Sequence, residues 1–99
     1  MICIKLHKSY RNVLAVCDSN LIGKRFEQKN KQLDCKESFY KDEEISYEKA
    51  VQLMKFQSKE DASFNIVGDE SIKAAQEAGI INLENIGTVK EIPFILILL

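Results

Sequence analysis

One histidine and three cysteines, His7, Cys3, Cys17 and Cys35, are the side chains here whose types most readily do covalent or metal chemistry. A thiolate activated by an imidazole is a nucleophile, and the same groups ligate soft metal ions. Both roles need contact. On an extended strand residues 3 and 7 share a face but sit about 13 Å apart, because each residue advances ~3.3 Å. Base-assisted activation of a thiol needs about 3 Å. Cys17 and His7 are separated by a similar diagonal on the hairpin proposed below. Cysteine spacings of fourteen and eighteen with no CxxC give neither a disulfide framework nor a zinc ribbon, so reduced thiols are expected. GxSxG, HExxH and paired catalytic carboxylates are absent, so no catalytic residue, metal ligand or cofactor is assigned and the chain reads as leaning away from an enzyme.

The stretch "FNIVGDESIKAAQEAGI", Phe64 to Ile80, has the outline of a phosphate-binding turn: a short apolar run, a glycine, then a helix. Such a site needs free backbone N–H groups, close approach at the glycine and no competing anion. Gly68 meets the second need, whereas Asp69 and Glu70 place two carboxylates where a phosphate would lie. No GxGxxG or GxxxxGK[ST] surrounds them, so the acids are expected to serve the helix. A minority reading is a small-ligand site made of Asn65, Gly68 and Asp69 with Cys17 and Asp18 nearby.

Lys24, Arg25, Lys29, Lys31 and Lys36 cluster within thirteen residues against Glu27 and Asp34. With Phe26 among them and Tyr10 and Arg11 on another loop, they suit contact with nucleic-acid phosphates and stacking on a base. A solvated hairpin explains the same pattern, and signatures of the common RNA-binding folds are lacking.

The elements that would hold these residues follow from periodicity. "ICIKLH" alternates, and "VLAVC" follows the polar turn "KSYRN"; the two predict a β-hairpin in which His7 faces Val13, with Leu6–Leu14 and Ile4–Val16 on the core face and Cys3–Cys17 on the other. "DSNLIG" predicts one helical turn, and the basic segment a second hairpin with "QKN" near its tip. A helix is expected over 46–56, capped by Ser46 and entered through the acidic Asp42, Glu43 and Glu44. "SKED", Ser58 to Asp61, matches a capping box that would open a further short helix. A strand at Phe64–Val67 leads to a helix from Asp69, its N-cap, to Ala78, closed by Gly79 with Ile80 folding back toward Ala75. "PFILILL" predicts a strand covered on both faces or completed by a second copy or another protein through Phe94–Leu99.

Ninety-nine residues with 45% apolar content suit one domain over 1–99, undivided by repeats or linkers. The net charge of −1 hides an asymmetry. Residues 1–41 carry nine Lys/Arg against four Asp/Glu, or +5, and residues 42–99 five against eleven, or −6. No charged n-region and apolar h-region open the chain, and the longest apolar run is far short of the ~20 residues of a membrane helix. A cytoplasmic protein without membrane association is expected.

"AVCDSNLIGKRFE", "FYKDEEISYEKA" and "NIVGDESIKAAQEAGII" together resemble the small archaeal domain-of-unknown-function family, number 424. Its pattern reads AVCD-x-x-LLGK-x-F-E, then FY-x-G-E, N-L-V-G-E, a helix, G-L-V and a final G-V-P-H-A. Cys17, Asp18, Gly23, Lys24, Phe26, Phe39, Tyr40, Asn65, Gly68 and Pro93 match it over nearly the whole chain. Phe94 stands where the family pattern has histidine, so no role of that histidine carries over. The resemblance implies an archaeal source and a compact α+β protein, but no activity.

The sequence therefore predicts an α+β domain with a mixed sheet, an N-terminal hairpin, two main helices and a buried C-terminal strand. Its expected role is a non-enzymatic binding module, with RNA or a translation-associated ribonucleoprotein as first partner. A small-ligand protein and a homodimer or partner subunit are the alternatives.

Overall fold

The structure, a computed structural model, describes residues 1–98. The chain opens with β1 (Ile2–His7) and β2 (Val13–Asp18), paired antiparallel in the predicted register, from His7 opposite Val13 to Ile2 opposite Asp18. A 3-10 turn over Ser19–Leu21 leads into β3 (Arg25–Gln28) and β4 (Lys31–Asp34), a separate two-stranded hairpin. Then come a single helical turn, α1 (Glu37–Tyr40), and a three-residue strand, β5 (Glu43–Ile45). The acidic run expected to be a helix entrance thus contributes Glu43 and Glu44 to an edge strand against β1. Three residues, two of them glutamates, give almost no periodic signal, and it is pairing with β1 that makes them a strand.

Ser46 caps α2 (Tyr47–Lys59) as expected, its hydroxyl accepting from the Lys49 N–H at 3.3 Å. The helix runs past residue 56 and absorbs Ser58 and Lys59, so "SKED" is not a new start. Glu60 is the C-cap, and Asp61 turns the chain with φ 58°. The pattern misleads because Gln57 is itself buried and continues the inward face of α2.

β6 (Ser63–Val67) pairs parallel with β2, and α3 (Asp69–Ala78) follows it. Gly79 ends α3 in the left-handed region at φ 76°, and the Ile80 N–H reaches the Ala75 carbonyl at 3.2 Å, the expected Schellman closure. After a second 3-10 turn at Leu83–Asn85, β7 (Gly87–Val89) and β8 (Ile92–Ile97) form a hairpin.

One six-stranded mixed sheet, ordered β5-β1-β2-β6-β8-β7, organises the fold. Alternation gives each of its faces a different cover. Ile2, Ile4, Leu14, Val16, Phe64, Ile66 and Ile95 turn toward Val51 and Met54 of α2 and Ile72 and Ala75 of α3. On the other face Ala15, Cys17, Val67 and Val89 lie under Leu33, Cys35 and Tyr40 of the β3–β4 hairpin and α1. The architecture is α+β, as the residue pattern implied. β8 runs between β6 and β7, with Ile95 buried and Leu96 exposed. Leu99, the last residue of the expected C-terminal surface, lies outside the described residues. No helix among the described residues is long and apolar enough to cross a membrane.

Candidate functional site

The parallel register of β2 and β6 sets Cys17 opposite Val67, so Asp18 and Gly68 are the next residues at the same sheet end. Gly68 has φ 107°, and a Cβ there would lie 2.3 Å from the Asp18 carboxyl carbon. Glycine is required on both counts. The Asp18 carboxylate uses this close approach to reach the first turn of α3. Its Oδ2 accepts from the Glu70 N–H at 3.1 Å, and its Oδ1 accepts from the Ser71 N–H and the Ser71 hydroxyl, each at 2.7 Å.

The phosphate position suggested by "FNIVGDESIK" is thus filled from within by Asp18. Asp69 is the first helical residue rather than the N-cap, which is Gly68 with no side-chain bond of its own. The carboxylate needed to satisfy the helix N–H groups comes from a strand 53 residues away. Glu70 turns outward to the chain's terminal ammonium at 3.4 Å. With Asp18, Asp69 and Glu70 around it, this helix start repels a second anion. Of the other residues in the small-ligand reading, Cys17 is buried on the hairpin-covered face of the sheet and Asn65 sits lower on β6, between Ala15 of β2 and Leu96 of β8. The structure joins Asp18 and Gly68 and separates them from Asn65.

The three thiols are buried and free of disulfides, and the Cys17 Sγ–H donates to the Asp18 carbonyl at 3.5 Å. Cys17 and Cys35 share one buried cluster: the neighbouring Cys35 and then burial push the Cys17 thiol up, while the Cys17 thiol beside it lowers Cys35. His7 is committed elsewhere. Its Nε2 donates to the Phe39 carbonyl at 2.8 Å and its ring stacks on Phe39 with centroids 4.5 Å apart. Lys5 donates to the Ser38 carbonyl beside it at 2.8 Å, so both side chains hold the end of α1. Among the described residues no three His, Cys, Asp or Glu side chains gather as a metal site.

The basic residues separate into two groups. Lys24 and Lys36 are exposed at the base of the β3–β4 hairpin, where the Cys35 N–H bonds the Lys24 carbonyl. Arg25 forms an exposed ion pair with Glu27 at 3.0 Å. Lys29 and Lys31 occupy the tip, roughly four residues or 13 Å along the strand. There the hairpin meets a neighbour sequence reasoning passed over, the two-residue loop Lys90–Glu91 between β7 and β8. The Lys90 N–H donates to Gln28 Oε1 at 3.0 Å, and Gln28, Lys29, Asn30, Lys31 and Thr88 line a depression of about 410 Å³. Lys29, Lys90 and Glu91 all have positive φ, of 55°, 51° and 67°. No ion pair among the described residues engages Lys29, Lys31 or Lys90. Lys90 carried no signal in the sequence, because only the docking of two hairpins brings it to the others. Tyr10 and Arg11 lie at the opposite end of β2 and line a depression with Glu60 and Asp61.

The family described as "Protein of unknown function (DUF424)" matches residues 7–99. The chain belongs to this family. No curated protein matches it. Among solved structures, an uncharacterized conserved protein from Methanopyrus kandleri is similar with a TM-score of 0.87 and 22% identity, over 97% of this chain and 89% of that one. That likeness shares the fold with a second uncharacterised protein. Within the DUF424 chain, Asp18 and Gly68 are two of the positions that carried the sequence resemblance, and their contact gives them a joint role in starting α3.

Proposed function

We propose that this DUF424 protein is a binding module whose joined hairpin tips, Lys29, Lys31 and Lys90, hold the phosphates of RNA, free or within a ribonucleoprotein. The observation that carries the reading is the docking of the two tips through Lys90 and Gln28, which brings together three lysines that no carboxylate engages among the described residues. Lysines outside ion pairs can neutralise phosphates, which releases the counterions condensed on the nucleic acid. The left-handed backbone at Lys29, Lys90 and Glu91 adds support, since side-chain-bearing residues are costly in that region and such strain collects at functional sites. Lys24, Arg25 and Lys36 belong to a different part of the hairpin and have a secondary place in this reading.

Fluorescence anisotropy with structured RNA at about 50 and 200 mM salt tests it. The Lys29→Glu/Lys31→Glu/Lys90→Glu protein should lose salt-sensitive binding, while a Lys24→Glu/Lys36→Glu protein should keep most of it. Equal binding by wild type and the tip variant would end the proposal.

A further inference from the structure

The face of the sheet under α2 is not closed at its β5 side. Ile4, Leu6, Leu14, Ile45 and Leu53 form the apolar floor of a groove of about 540 Å³ between the β1 edge and α2, a size within the roughly 300–1,000 Å³ usual for ligand sites. Two amide groups with unused donors and acceptors border that floor.

The first is the carboxamide of Gln57. The residue is only 8% exposed, it lines the groove, and no hydrogen bond reaches its side chain among the described residues. Its side-chain polar atoms are not sealed off, because none is among the fully buried atoms lacking a partner. They therefore open into the groove. Only water engages the carboxamide there, so no protein hydrogen bond among the described residues would be lost with it.

The second is the backbone of Leu6. Pairing of β5 with β1 ends at Ile4, whose carbonyl accepts from the Asp42 N–H at 2.9 Å. Strand alternation turns the N–H and C=O of Leu6 to the same side, past Glu43, the first residue of β5, where no strand continues among the described residues. An edge of this kind is a template for a further strand.

Charge narrows the occupant. Asp42 and Glu43 stand on the β5 rim with Lys49 opposite, and none of the three is in an ion pair among the described residues. Two carboxylates to one ammonium disfavour a phosphate-bearing ligand and favour a neutral or basic one. We infer that this groove binds a short extended peptide with an apolar side chain and a basic neighbour, extending the β5 lane by pairing with Leu6 and hydrogen-bonding through Gln57. The mode is strand addition, with main-chain bonds giving affinity and the apolar pocket giving selectivity. It is independent of the RNA reading, which uses the other face of the sheet.

The test is NMR titration of the ¹⁵N-labelled chain with acetyl-Lys-Leu-N-methylamide, up to about 10 mM because so small a probe binds weakly. Shifts are expected at the Gln57 side-chain amide, the Leu6 N–H and Leu53. Acetyl-Lys-Gly-N-methylamide should bind about tenfold more weakly, and Gln57→Leu should weaken the leucine probe by about the same factor. Gln57→Leu should leave the melting temperature unchanged or higher, which a glutamine with a structural role would not do. Absence of shifts at Leu6 and Gln57, equal response to the two probes, unaltered binding by Gln57→Leu, a lowered melting temperature in that variant, or adenosine occupying the groove in place of the peptide would each overturn the inference.

Discussion

Asp18 Oδ1 accepts two hydrogen bonds from one residue, Ser71, from its backbone N–H and its hydroxyl, each at 2.7 Å. Since both residues are buried, the pair joins the end of β2 to the start of α3 across the parallel β2–β6 pairing, which closes the loop between them. Replacing Asp18 by Ala leaves the Glu70 and Ser71 donors unsatisfied, for an expected cost of about 2–3 kcal/mol. Asp18→Asn should lose less, because the amide oxygen keeps one acceptor. Urea unfolding checks both: the midpoint should fall with the slope unchanged.

Gly68→Ala should be among the most damaging single changes in the chain. The added Cβ meets the Asp18 carboxylate at 2.3–2.6 Å and the backbone sits at φ 107°, so a loss of at least about 2 kcal/mol is expected. Part of this is the clash, which Asp18→Gly removes. The double variant should therefore be less destabilised than the sum of the two single variants, by about 1 kcal/mol in a double-mutant cycle. Additive losses would show that backbone strain alone requires the glycine.

Cys3, Cys17 and Cys35 are all buried, and Cys17 is held in its thiol form by the neighbouring Cys35 and by burial. A thiol-disulfide reagent at pH 8 should react with the folded chain at least about a hundredfold more slowly than with the unfolded chain, because the thiolate is the attacking species and access requires opening. Fast labelling of Cys17 or Cys35 in the native protein would contradict the packing under the β3–β4 hairpin, and fast labelling of Cys3 would contradict its burial on β1.

Much of this fold was legible where local pattern and tertiary demand agree. Alternation fixed the β1–β2 register down to His7 opposite Val13, and Gly79 followed by Ile80 announced the end of α3. Local signals misled at Ser58–Asp61, where a capping-box pattern coincides with the last turn of α2, and at Asp69, where a good capping residue yields to a better-placed carboxylate. α1, β5 and β7 are three or four residues long, too short for a period to be read. The candidate sites were least legible because their partners are distant in sequence: Asp18 with Ser71, Gln28 with Lys90, Leu6 with Gln57. Nothing in residues 24–36 pointed to a lysine at position 90.

Alkaline pH should weaken the fold through Tyr40. Burial, then the neighbouring Cys17, Cys35 and Asp34, raise its phenol above the ordinary 10.0. The folded chain thus holds this proton more tightly than the unfolded chain. The stabilisation from this group is complete below about pH 10 and is lost as the pH climbs through the raised folded value. Comparing thermal unfolding of wild type and Tyr40→Phe from pH 8 to 11 isolates the contribution: the wild-type melting temperature should fall more steeply above pH 10. Parallel curves would mean that Tyr40 ionises without reference to folding.

The Lys90–Glu91 loop separates stability from binding. Two L-residues with positive φ in a two-residue hairpin loop occupy positions that Asn-Gly fills at lower cost, since the left-handed conformation opposes side-chain-bearing residues by about 1 kcal/mol or more each. Lys90→Asn/Glu91→Gly should therefore raise stability by about 1 kcal/mol, seen as a higher urea midpoint. If the loop is kept for its charge, the same protein should bind RNA more weakly than wild type, with the slope of log K against log salt reduced by about 0.7 for the single lysine lost. The removal of Glu91 makes this a demanding comparison, because losing a carboxylate by itself favours phosphate binding. A stabilised protein with unchanged or stronger RNA binding would detach Lys90 from the proposed surface and leave Lys29 and Lys31 to account for any affinity.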